Sequence, residues 1–345
     1  MRTRTRAAIV AALAAATLAL AATALGANTA TVAVSTAGTA TTLHIAVPQA
    51  TDPIAAITII VPNGYTANLG QAANSTIGQT NATALGHDVG LTLPLSGTVT
   101  TTNPVAPAND PCAPGPHAAI WLLNLTVAGQ PVTLTLYVDP TSGALAQLGA
   151  YVMKICLPPW DTPVGSPGRA VEGAQLLDAQ FTVNSIFTAP SAGSVNVWHT
   201  LFTPYNPGVG TVNAAGTFEA RSLVGAPALT LKAAKKNGKY ALGGKLTEGG
   251  IALSGVGVTV LRGTTATRLL KVAGTSTGPG GAWASAGKLV GKKPVYFKAH
   301  ASVGERDATA TGCAQPLPAT IAPGGCVSAT LGAWAVDSPV AKLVP

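Results

Sequence analysis

The chain has 345 residues and a formal net charge of +8, with 9% of residues charged and 47% hydrophobic. That length suits two cores rather than one. Few Glu, Lys and Gln residues argue against a helix-rich fold, and the apolar content argues against an intrinsically disordered chain.

At the start, Arg2, Arg4 and Arg6 precede an Ala/Leu run that ends in small residues around Gly26. This is the layout of a secretory signal peptide over residues 1–27. An uncleaved anchor is the alternative, although an Ala-dominated run inserts less stably than a Leu-dominated one. No second apolar segment of spanning length follows, so the expectation is a secreted or extracytoplasmic protein with no transmembrane span after cleavage.

Beyond the signal the pattern is strand and turn. The stretches 41–47 (TTLHIAV), 56–61 (AITIIV) and 89–95 (VGLTLPL) are short, rich in β-branched residues and separated by turn formers. Segments 119–127 (AIWLLNLTV) and 131–139 (PVTLTLYVD) predict a hairpin turning at Ala128 and Gly129. Val132, Leu134, Leu136 and Val138 alternate there with Thr133, Thr135 and Tyr137, which leaves one face buried. Further strands are predicted over 151–157, 176–183 and 195–202.

All four cysteines, Cys112, Cys156, Cys313 and Cys326, follow the signal. An even count in an oxidising compartment implies disulfides, with three connectivities open. The one that keeps each bridge within one half joins Cys112 to Cys156 and Cys313 to Cys326.

Charge divides the exported chain. Residues 28–222 carry three Lys and Arg (Lys154, Arg169, Arg221) against eight acidic residues, whereas 223–345 carry fourteen against four. The shift falls near Gly225 and Pro227, which supply a linker. The expected architecture is all-β: two β-sandwich domains, 28–224 and 225–345, after the signal peptide.

In the second half Asn237–Gly238 marks a two-residue hairpin turn, since both residues tolerate positive φ. The stretch GKLTEGGIALSGVGVTVLRG, followed by TSTGPGGAWASAGKLVGKKPVYFKAHA, resembles bacterial Ig-like or prealbumin-like β-sandwich modules over residues 228–310. The resemblance implies a spacer, stalk or adhesion module and brings no catalytic residues. Around ITIIVPNGY the first half is similar to exported copper-handling β-sandwiches in one strand and turn. Their metal site uses a His at the mature N-terminus, where this chain has Ala or Asn.

Candidate chemistry is sparse. Ser285 and Lys288 have the bare serine–lysine spacing of penicillin-binding enzymes, but the segment reads as strand. Zinc-protease, P-loop and dinucleotide motifs are absent. His44, His87, His117, His199 and His300 are far apart and share no metal-ligand spacing, so no metal and no cofactor are expected. Glu305, Arg306 and Asp307 read as a solvated charge cluster in a loop.

Trp160 and Tyr205, each in a Pro-rich loop, are candidate ligand-binding residues, because an aromatic on a rigid loop loses little entropy on binding. The basic second half is a candidate for contact with anionic cell-envelope polymers. Its cations are spread over successive strands, and together with the compartment this argues against nucleic acid. The expected role is thus an exported structural or cell-surface interaction protein without catalytic activity. The alternative is a carbohydrate- or ligand-binding protein using the loops of Trp160 and Tyr205.

Overall fold

Alternating short strands dominate the molecule, as the period of two requires. The computed structural model describes residues 28–103, 110–127, 129–190, 195–289, 293–307 and 329–344, and they are all-β in several sheets. Residues 1–27, where a signal peptide is expected, and the expected Cys313–Cys326 bridge lie outside the described residues. No described helix is long and apolar enough to cross a membrane.

The first half contains β1 (Thr31–Ala37), β2 (Ala40–Ala46), β3 (Ile54–Val61), β4 (Thr66–Ala67), β5 (Thr76–Gly86), β6 (Leu91–Thr102) and β7 (Ala119–Val127). It continues through β8 (Gln130–Pro140), β9 (Tyr151–Cys156), β10 (Ala174–Asn184), β11 (Phe187–Thr188), β12 (Val195–Pro204) and β13 (Phe218–Gly225). The second half contains β14 (Pro227–Leu229), β15 (Lys232–Lys236), β16 (Lys239–Glu248), β17 (Ile251–Ala252), β18 (Gly257–Gly263) and β19 (Leu270–Ser276). It ends with β20 (Ala282–Lys288), β21 (Val295–Val303), β22 (Arg306–Asp307), β23 (Ala329–Leu331), β24 (Trp334–Asp337) and β25 (Ala341–Leu343).

One sheet of thirteen strands runs in the order β1-β2-β10-β5-β6-β7-β8-β9-β3-β12-β13-β23-β22. It folds over on itself, so that Trp121 of β7 and Trp198 of β12 both meet Phe187 of β11 edge-on, at ring distances of 6.1 and 6.0 Å. Trp121, Trp198, Phe181 and Phe202 are fully buried in the core between. The fold brings β1 back against β13, where the Val34 amide donates to Ser222 Oγ at 2.7 Å. This bond satisfies one amide of the edge strand β1, a group of the kind that otherwise invites pairing with another chain.

The hairpin at Gly129 pairs Ala119 with Val138 and Leu123 with Leu134, in the register that its alternation implies. Asn237 and Gly238 both have positive φ, 52° and 70°, and turn β15 into β16 with Lys236 opposite Lys239. Two five-stranded sheets follow, one around β16 and one around β18 and β21. Tyr240, Leu246, Val260, Trp283 and Phe297 fill the core between them.

The halves are joined by more than the linker. β23 pairs in parallel with β13, and β22 pairs with β23, so both lie on the large sheet. The expected solvated loop at Glu305–Asp307 is corrected here. Glu305 accepts from His44 Nδ1 at 2.9 Å, and Arg306 pairs with Glu248, whose side chain is 6% exposed. Trp334 Nε1 donates to the other Glu248 oxygen at 2.9 Å.

Candidate functional site

Cys112 and Cys156 form a disulfide, with their Cα atoms 6.1 Å apart. β9 carries Cys156 next to β8, and the segment before β7 carries Cys112 over the same corner. Asp110 organises this corner: one carboxylate oxygen accepts from the Cys112 amide and the other from the Tyr137 hydroxyl. Burial and the Asp110 carboxylate push the Tyr137 pKa up to about 12. Lys154 Nζ donates to the Cys112 carbonyl, and burial lowers its pKa.

His117 bonds Asp139 through Nδ1 at 2.7 Å and the Ala113 carbonyl through Nε2 at 3.1 Å. Both ring nitrogens are therefore engaged away from the sulfur atoms. Asp110, Cys112 and Cys156 lie close enough together to suggest metal ligation. Their two sulfurs are bonded to one another, however, and offer no thiolate.

Trp160 and Tyr205 sit on loops that the fold brings together. The Tyr205 hydroxyl donates to the Leu157 carbonyl at 2.8 Å, and the Gly208 amide donates to Asp161. A Cβ at Gly210 would stand 2.8 Å from Thr162 Cγ2, so the two loops are in close contact. Burial, followed by the Asp110 charge, raises the Tyr205 pKa.

The Trp160 ring stacks on His87 at 4.0 Å with an interplanar angle of 7°. His87 is held in turn by Gln175 at 2.9 Å. Arg169 clamps the same loop to the β5–β6 turn through two bonds to Asp88, each 2.7 Å, and holds the Asp88 pKa below the usual carboxylate range. The half-buried Trp160 ring is thus sandwiched into a network that fastens its loop to the sheet.

The other histidines are also strand-to-strand ties. His199 bonds Glu219 at 2.7 Å across β12 and β13, beside Arg221. Burial raises the Glu219 pKa, but His199 and Arg221 outweigh it and leave it lowered. His300 and Lys298 both meet Asp337 across β21 and β24. His44 lies between Asp178 at 2.6 Å and Glu305 at 2.9 Å. Burial pulls the His44 pKa down, and the two carboxylates more than reverse this, leaving it raised.

Ser285 and Lys288 both belong to β20. Three residues apart on a strand, they point to opposite faces. No hydrolase nucleophile turn is expected from the sequence reading, yet Gly274–Gly278 (GTSTG) has its spacing. Ser276 ends β19, exposed and opposite Gly257 of β18, and only the three-residue 3-10 turn Pro279–Gly281 follows, in place of the helix that a nucleophile turn leads into.

Between the halves, Val34, Leu223, Glu248, Gly332 and Trp334 border a crevice whose cavity volume is ≈ 10 Å³, room for about one water molecule. Small-molecule pockets usually measure roughly 300–1,000 Å³. Neither a known protein family nor a curated protein matches the chain.

Proposed function

We propose that the chain is an exported structural or cell-surface interaction protein without catalytic activity, and that its basic second half faces anionic polymers of the cell envelope. One observation carries the reading: the side chains best equipped for chemistry tie strands and loops together. All five histidines have a carboxylate or amide partner, and Cys112 is oxidised with Cys156. The Ig-like resemblance of 228–310 adds a spacer or adhesion role, and the charge division adds the attraction to polyanions.

Fractionation of cells that express the full chain tests this. The chain is expected outside the membrane and released by a salt wash, because exposed charges are screened beyond about 8 Å at physiological ionic strength. A chain retained in the cytoplasm would overturn the reading. The carbohydrate-binding alternative rests on the paired loops of Trp160 and Tyr205, and loss of glycan-array binding in Trp160→Ala would favour it.

A further inference from the structure

The outer face of β15, β16 and β20 is made almost wholly of lysine, alanine and glycine. Register sets Lys236 opposite Lys239 and Lys239 opposite Lys288, so a row of three lysines crosses the sheet. The next row on that face is Ala234, Ala241 and Ala286, and the row after it is Lys232, Gly243 and Ala284. Further along β16, Lys245 stands opposite Ala282.

Side chains alternate along a strand, so these positions share the face turned away from Tyr240, Leu242, Leu246 and Trp283 in the core. All the lysines and alanines named are exposed. The face is a floor with no side chain larger than a methyl group between its lysine margins. The margins lie about 13–20 Å apart along the strands, and the floor is about 10 Å wide.

Like charges directly opposite one another destabilise a sheet. None of the five lysines has an ion-pair partner among the described residues. The described acidic side chains of the second half are engaged elsewhere: Glu248 with Arg306, Glu305 with His44, and Asp337 with Lys298 and His300. A bound anion would relieve the repulsion that the fold leaves in place.

We infer that this face is the docking surface for a linear anionic glycan, a chain that carries carboxylate or phosphate groups at intervals. The inference rests on the envelope-polymer reading and gives it a location. A ribbon of sugar rings lies flat on the alanine and glycine floor, and ammonium groups reach its anions from both margins. Lysine suits this task because its compact charge carries three rotatable donors on a flexible stem. A bilayer fits less well, since no bulky apolar side chain projects from the face to enter a headgroup layer. A second copy of the same face would set lysine against lysine.

Polygalacturonate is the probe, with the full exported chain and two variants of equal charge change, Lys239→Glu and Lys271→Glu. Lys271 is exposed on β19, in the other sheet. Lys239→Glu places a carboxylate between Lys236 and Lys288, which replaces repulsion by attraction and preserves the fold. At low salt, affinity should fall roughly tenfold or more in Lys239→Glu and less than about twofold in Lys271→Glu. The thermal midpoint of Lys239→Glu should be unchanged or higher.

Equal losses in the two variants would overturn the face and leave general electrostatic attachment standing. No binding by the unaltered chain would overturn the attachment reading together with the face. Tighter binding to phosphatidylglycerol vesicles than to polygalacturonate would overturn the glycan assignment.

Discussion

Cys112 and Cys156 are separated by 44 residues, a loop whose closure stabilises the fold by about 4 kcal/mol in the chain-entropy account. Replacing both with alanine should lower unfolding stability by about that amount in a urea titration. The bridge was legible in the sequence because an even cysteine count, with export expected, points to disulfides. The Asp110, Tyr137 and Lys154 cage around it was not, since it draws on residues up to 44 positions apart with no local period. The role of Trp160 was only half legible: its loop announced a rigid aromatic, but the stacking partner, His87, is 73 positions away. Trp160→Ala should cost about 1–2 kcal/mol through loss of stacking and burial. Its binding to envelope polymer should match that of the unaltered chain in a co-sedimentation assay; a loss there with stability intact would contradict the scaffold role of the ring.

Among the elements, hairpins were the most readable. Asn237–Gly238 specified its own backbone, and the structure gives both residues positive φ with the adjacent register Lys236 to Lys239. An added Cβ at Gly238 meets nothing within 4 Å, so Gly238→Val tests the backbone penalty alone. At φ +70° a β-branched residue should cost about 1–2 kcal/mol, measured by thermal unfolding. β22 and β23 were the least readable. They are two and three residues long, and β23 joins β13 in parallel more than 100 positions away, so neither alternation nor turn chemistry marks them. For the same reason Glu305 and Arg306 looked like loop charges, although they tie β2 and β16 to the end of the large sheet.

At the scale of the whole molecule, those ties and the charge division decide behaviour. Arg306→Ala leaves Glu248, nearly buried, with Trp334 alone, and should cost about 3 kcal/mol because a buried carboxylate loses its cation. His44 adds a pH dependence. Its folded pKa is raised, so its contribution is complete below the unfolded value near 6.5 and is lost as pH rises through the folded one. Glu219 has a lowered pKa and acts in the opposite sense, losing its contribution as pH falls below the carboxylate range. Thermal midpoints measured against pH should therefore decline on both sides, and His44→Gln should abolish the decline above about pH 6.5. Because β22 and β23 tie the halves, the proposed polymer binding is tested on the intact chain, with its acidic first half and its basic second half together. The most direct test is equilibrium binding of the chain from residue 28 to 345 to isolated anionic cell-wall polymer over a salt series. Binding at low salt that falls steeply towards physiological ionic strength is the expected result. Absence of binding, or binding that salt does not change, would contradict the account.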